Sequence, residues 1–160
     1  MTEAHHHTLG AEIREIIAQE GPISVERFME LALTHPTLGY YTTRNPFGAE
    51  GDFITSPEIS QMFGELLGLW AAQVWSQIGA PETLRLVELG PGRGTLMADA
   101  LRAARAAPDF FAALHVELIE ASDIQIEQQR QALDGCGRPV SWHRTLDGVP
   151  PGPAIFIANE

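Results

Sequence analysis

A chain of 160 residues that is 44% hydrophobic carries enough apolar side chain for one domain with a core, and none of its apolar runs approaches a membrane span of about 20 residues. The formal net charge of −11 argues against nucleic acid and anionic membrane as partners, and all 10 cationic side chains are arginine, which excludes a P-loop lysine and a lysine Schiff base. Cys136 is the only cysteine, so no internal disulfide can form and a reducing compartment is the simpler setting. Residues 1–8, with histidines at positions 5–7, read as a disordered tail or tag remnant and take no part in the fold.

From Leu9 to Gln19, Leu9, Ile13, Ile16 and Ile17 recur at helical spacing between Glu12, Arg14 and Glu15, which predicts an amphipathic helix ended by Gly21-Pro22. Ser24 is placed to cap a second helix that carries Val25, Phe28, Met29, Leu31 and Ala32 and closes before His35-Pro36. Residues 36–51 then read as a loop, yet Tyr40, Tyr41 and Phe47 are larger than a purely solvated loop needs, and a lid over a cleft is the functional expectation. Ser56-Pro57-Glu58 supplies a cap, a proline for the first helical position and a first-turn acid, so one helix is expected from there to Ile78. Its Ile59, Met62, Phe63, Leu66, Leu67, Trp70, Val74 and Ile78 form a wide apolar stripe suited to packing on a sheet. Residues 9–80 are therefore assigned to a leading helical segment with an aromatic loop, and residues 81–160 to a sheet domain.

The densest signal is the stretch 84–96, L-R-L-V-E-L-G-P-G-R-G-T-L. Leu84, Leu86, Val87 and Leu89 fit a buried strand, Gly90, Gly92 and Gly94 a tight loop, and Thr95 opens a helix. Strand, glycine turn and helix make the ligand-facing corner of a doubly wound α/β sheet. Glycines there permit positive φ and let a ligand approach the backbone, while the helix N-terminus offers free N–H groups. A dinucleotide fingerprint wants glycine where Thr95 stands, which disfavours a nicotinamide oxidoreductase. What stands here is Glu88-x-Gly90-x-Gly92-x-Gly94. A pyrophosphate has no use for a carboxylate at the strand tip, whereas a sulfonium ligand with an ammonium group does. In this motif the chain resembles the class I S-adenosylmethionine-dependent methyltransferases; a tight turn without a ligand is the bland alternative.

A helix is expected from Thr95 to about Ala106, closed by Pro108, with a short turn at Asp109–Ala113. H-V-E-L-I-E reads as the second strand, with Glu120 at its carboxyl end. An acid at that point reaches the two ribose hydroxyls of an adenosyl ligand, and otherwise it is solvated surface. It lies about thirty residues past the loop rather than the usual ~20, an excess assigned to an insertion at Pro108–Leu114. Ser122-Asp123 begins a further helix ended by Asp134-Gly135. Val140–His143 and Ala154–Ala158 are the third and fourth strands, joined through Pro150-Pro151-Gly152-Pro153, and Asn159-Glu160 sit at the last tip.

G-D-F-I-T-S-P-E-I-S at positions 51–60, then Phe63-Gly64-Glu65, the glycine-loop block and the closing A-N-E are together similar to the MidA family. These are the bacterial and mitochondrial relatives of the arginine methyltransferase that helps assemble respiratory complex I. The resemblance implies an α/β, Rossmann-like class I methyltransferase fold with an N-terminal helical segment, and S-adenosyl-L-methionine as cofactor. It implies a protein substrate methylated on arginine, with a respiratory complex I subunit as the candidate. The setting it implies is bacterial cytoplasm, or the mitochondrial matrix in a eukaryote. It places Ser56 and Glu58 nearest the cofactor, beside Glu88, Gly90, Gly92, Gly94 and Glu120; Ser56-Pro57-Glu58 reads equally well as a plain helix start. Glu160 is a candidate for orienting a substrate guanidinium, or simply caps a strand. No metal is expected. A non-catalytic, cofactor-binding assembly factor is the alternative function. Because the family's sheet has more strands than the four found here, the chain is expected to be an N-terminal piece, and Ala154–Ala158 an unpaired edge prone to self-association.

Overall fold

The computed structural model describes residues 8–43 and 55–159. The chain divides into two compact units, 1–45 and 46–160, so the boundary drawn at residue 80 falls within the second. The first unit holds α1 (Leu9–Glu20), α2 (Val25–Thr34) and α3 (Tyr40–Thr43). Thr8 Oγ1 accepts from Ala11 N–H and Ser24 Oγ from Arg27 N–H, each satisfying an N–H that the helix itself leaves open. His35 Nδ1 accepts backbone N–H groups from Thr37 and Leu38, which leaves Nε2 to donate to Glu12 at 3.2 Å. Part of the expected 36–51 loop is thus helical: Tyr40 and Tyr41 lie in α3, their rings edge-on at 5.2 Å. Phe47, and with it the body of the expected lid, lies outside the described residues.

The second unit is built on a parallel sheet of β1 (Leu84–Leu89), β2 (Leu114–Ile119), β3 (Val140–His143) and β4 (Ala154–Ala158), in the order β3-β2-β1-β4. Five α-helices among the described residues accompany it: α4 (Ser56–Ile59), α5 (Gln61–Gln77), α6 (Thr95–Ala104), α7 (Pro108–Ala113) and α8 (Asp123–Ala132). Alternation along the strands sends Leu84, Leu86, Leu114, Val116, Leu118, Ile155 and Ile157 to one face, where Met97 and Leu101 of α6 and Phe110 of α7 complete the core. The chain steps outward from β1 to β2 to β3 and returns to the far side of β1 as β4. That reversal opens a crevice beyond the carboxyl ends of β1 and β4, where open α/β sheets bind their ligands. No helix among the described residues is long and apolar enough to cross a membrane.

Two expectations are corrected. The helix foreseen over 56–78 is broken at Ser60, whose extended backbone (φ −151°, ψ 123°) ends α4 and whose hydroxyl caps α5 through Met62 N–H. The apolar stripe does not all pack inward: Ile59, Met62, Leu66, Trp70 and Ile78 are each at least 50% exposed. The buried face of α5 runs instead through Gly64, Gly68 and Ala71, beside Phe63, Leu67 and Val74. Shape decides this. A Cβ on Gly64 would lie 2.8 Å from Leu96 O and one on Gly68 2.3 Å from Ala100 O, so the two helices meet where α5 has no side chains.

Candidate functional site

β1 delivers Glu88 to the crevice and the chain turns away through Gly90, Gly92 and Gly94 at φ 63°, 54° and 85°. Side chains with a Cβ avoid that region, so the glycines are required by the path itself. Gly90 N–H donates to Ile119 O at 3.0 Å, tying the start of the turn to β2, and Gly94 N–H donates to Pro91 O at 2.8 Å, closing it. Gly94 is also the N-cap of α6 and supplies no side-chain acceptor, so this helix start has no side-chain cap. The glycines differ in what they face. A Cβ on Gly90 would meet nothing within 4 Å, whereas one on Gly94 would press on Gln129 and Ala132 of α8 at 3.3–3.5 Å.

The loop borders an open cleft. Thr55, Pro57 and Glu58 line it from the α4 side, Glu88, Gly90, Pro91, Gly92 and Arg93 from β1 and its turn, Thr95 and Leu96 from α6, and Asn159 from the tip of β4. Glu58 spends both oxygens on the turn: Thr95 Oγ1 donates to Oε1 at 2.6 Å and Arg93 Nη1 to Oε2 at 3.1 Å. Arg93 is the one cationic side chain among the described lining residues, and this pair neutralises it.

Glu88 is 3% exposed, and its Oε2 is buried with no hydrogen-bond partner among the described residues. Burial alone pushes its carboxyl up to about 8. A buried, unmatched carboxyl at the edge of a cleft is costly unless a donor or a cation arrives. Such a cleft suits a ligand carrying positive charge near the strand tip better than a polyanion. No group of three or more potential metal ligands occurs among the described residues.

Of the residues singled out from sequence, Glu58, Glu88, Gly90 and Gly92 come together in this cleft. Ser56 opens α4 without lining it, Gly94 packs on α8, and Glu160 lies outside the described residues. Glu120 is not among the lining residues either. Just past β2, its Oε1 accepts from Ser122 N–H at 2.8 Å and its Oε2 from Gln129 Nε2 at 3.0 Å. Gln129, Arg93, Thr95 and Leu96 carry structure at this site that sequence reasoning missed. For Gln129 the available signal was Gln125 and Gln129 four apart with Ala132 and Leu133, one face of an otherwise polar helix.

Residues 66–160 match the model of a family described as putative S-adenosyl-L-methionine-dependent methyltransferase. The chain is similar to the mitochondrial protein arginine methyltransferase NDUFAF7 homolog of Drosophila melanogaster, 39% identical over 179 residues, covering 99% of this chain and 40% of that one. To human mitochondrial protein arginine methyltransferase NDUFAF7 it is 40% identical over 166 residues, covering 90% and 38%. It also resembles the crystal structure of a Burkholderia thailandensis protein bound to S-adenosyl-homocysteine, with a TM-score of 0.76 and 31% identity over 92% of this chain and 40% of that chain. The chain thus spans about two fifths of the length of these relatives.

Proposed function

The chain belongs to the S-adenosyl-L-methionine-dependent methyltransferase family whose model it matches over residues 66–160, and from that premise we propose that its glycine-loop cleft holds this cofactor and that the whole protein methylates arginine in a protein substrate. One observation carries the reading: the Glu88 carboxyl, buried beside the loop at the strand-order reversal and without a partner on Oε2 among the described residues. The cofactor's ammonium group is the donor that such a carboxylate lacks. Gly90, open where a Cβ would stand, lets the backbone of the turn approach the ligand, with Gly92 and Gly94 holding the same path. Glu120 is assigned the ribose hydroxyls. Glu58, carried on the helix that Ser56 opens, holds the turn in place through Arg93 and Thr95.

When bound, the cofactor supplies an electrophilic methyl group on a cationic sulfur. The residues of this chain bind and orient it. The acceptor is assigned as a guanidinium, and Glu160 is the residue assigned to orient it. The relatives' names, protein arginine methyltransferase and mitochondrial, support arginine in a protein as the acceptor and a mitochondrial setting in a eukaryote. The finer parts of the proposal, a respiratory complex I subunit as substrate and the cytoplasm as the setting in a bacterium, rest on the resemblance to the MidA family. The β4 edge at Ala154–Ala158 is proposed as a self-association surface, since its outer side is unpaired among the described residues.

Calorimetric titration with S-adenosylmethionine and, separately, with reduced nicotinamide dinucleotide tests the cofactor assignment. Binding of the first alone is expected; binding of the second alone refutes it. Transfer of a labelled methyl group to an arginine-containing protein tests the activity, and tight binding without transfer would favour a non-catalytic assembly factor.

A further inference from the structure

The glycine turn and Glu120 stand on different elements, and a single side chain joins them. Gln129 of α8 is fully buried. Its Nε2 donates to Gly92 O at 2.7 Å and to Glu120 Oε2 at 3.0 Å, while its Oε1 accepts from Trp142 Nε1 at 2.9 Å. A primary amide has two hydrogens and one carbonyl oxygen, and all three are engaged. Turning the amide over would set its oxygen against two acceptors and its hydrogens against an indole N–H. Its neighbours therefore dictate one orientation. The other oxygen of Glu120 is held by Ser122 N–H, so the carboxylate is fixed at both ends and still has lone pairs to offer.

We propose that Gln129 is a positioning residue for the adenosyl site, which sets the Glu120 carboxylate relative to the Gly92 carbonyl so that a ribose diol meets aligned acceptors. The inference rests on the cofactor reading above and extends it to a residue that touches no ligand. Two further features agree with it. A Cβ at Gly94 would stand 3.3 Å from Gln129 Cα and 3.5 Å from its Cγ, so the third glycine of the motif is what allows α8 near enough for the amide to reach the turn. The far side of the amide is anchored as well: the guanidinium of Arg130 stacks 4.4 Å over the Trp142 ring, holding the indole that donates to it. Burying a glutamine completely is costly unless every polar atom is paired, and here the pairing links two parts of one site.

The test measures affinity for S-adenosylhomocysteine and for its 2′-deoxy analogue by calorimetry, using the full chain. In the parent, losing a hydroxyl bonded to a carboxylate should weaken binding roughly ten- to hundredfold. Gln129→Met keeps the length and removes both donors, and the ratio should fall below about threefold because Glu120 is no longer aligned. A merely structural role would weaken both ligands alike and preserve the ratio. Trp142→Phe removes only the N–H that holds the amide oxygen; it should lower the ratio to an intermediate value, and it serves if Gln129→Met fails to fold. An unchanged ratio in whichever variant folds overturns the inference and leaves the cofactor reading standing. A parent that binds neither ligand overturns both.

Discussion

Replacing Glu88 with glutamine removes a titrating group that burial pushes from 4.5 to about 8. Between those two values the folded protein keeps a proton that the unfolded chain has released, so stability falls as pH rises, by about 1.4 kcal/mol per unit. Below pH 4.5 both states are protonated and the penalty is absent; above about pH 8 both are ionised and it is complete. Over the whole interval it amounts to something on the order of 5 kcal/mol, and at pH 7 to about 3 kcal/mol. Glutamine fills the same space without a charge. Urea unfolding of parent and variant at about pH 4, 7 and 8.5 isolates this group, because every other titration is common to both. Near pH 4 the two should be close, with Glu88→Gln the more stable by about 3 kcal/mol at pH 7 and more again at the highest pH. A difference that does not change with pH would refute the reasoning. A second arm follows the same proton: an ammonium group seated on Glu88 ionises it, so S-adenosylhomocysteine should release a proton on binding near pH 7. Calorimetry in buffers of different ionisation enthalpy counts that proton, and the variant subtracts the ligand's own amine titration.

Glu120→Ala should weaken binding of S-adenosylhomocysteine by roughly 1–3 kcal/mol, the scale for losing a hydrogen bond to a charged group, and unchanged affinity by calorimetry would remove this residue from the ribose. Gly94→Ala forces a side chain into φ 85° and against α8 at 3.3 Å, so a loss of about 1–3 kcal/mol in denaturant unfolding is expected; full retention would mean that α8 gives way freely. Glu58→Ala frees Arg93 and Thr95. Because the Arg93 partner is 44% exposed, stability should change by less than about 1 kcal/mol, whereas hydrogen exchange at Gly92–Leu96 should quicken; equal protection in both proteins would show that Glu58 does not hold the turn.

β1, β2 and β4 were legible as short apolar runs bounded by glycine, an acid or proline, and β3, Val-Ser-Trp-His, through the Val140 and Trp142 alternation after Pro139; all four stand within one residue of where their patterns put them. The acid-and-glycine motif was equally legible, since only a turn at positive φ demands glycine at three alternate positions. The break at Ser60 was not. Serine inside a helical pattern is permitted, and here its hydroxyl caps the helix that follows. Periodicity also drew the buried face of α5 too wide, taking in the exposed Met62, Leu66 and Trp70 with the packed Phe63, Leu67 and Val74, because it weighs hydrophobicity and is blind to closeness of approach, which Gly64 and Gly68 govern. Gln129 escaped for a related reason: a polar residue on a polar helix reads as surface until its three partners, drawn from three other segments, are seen around it.

The seating of α5 on α6 gives the cleft a determinant that no ligand would touch. α6 starts at the glycine turn, its first residues rest on Gly64 and its middle on Gly68, and bare backbone fills the contact. A helix of ten residues is a stiff rod about 15 Å long, so its spacing from α5 also sets where its first turn stands. A methyl group at position 64 or 68 would work as a shim, lifting the rod by a fraction of its diameter and tilting the turn that it carries. Variation at those two positions would then register in a binding assay as damage to the cleft, with every residue that lines it still in place.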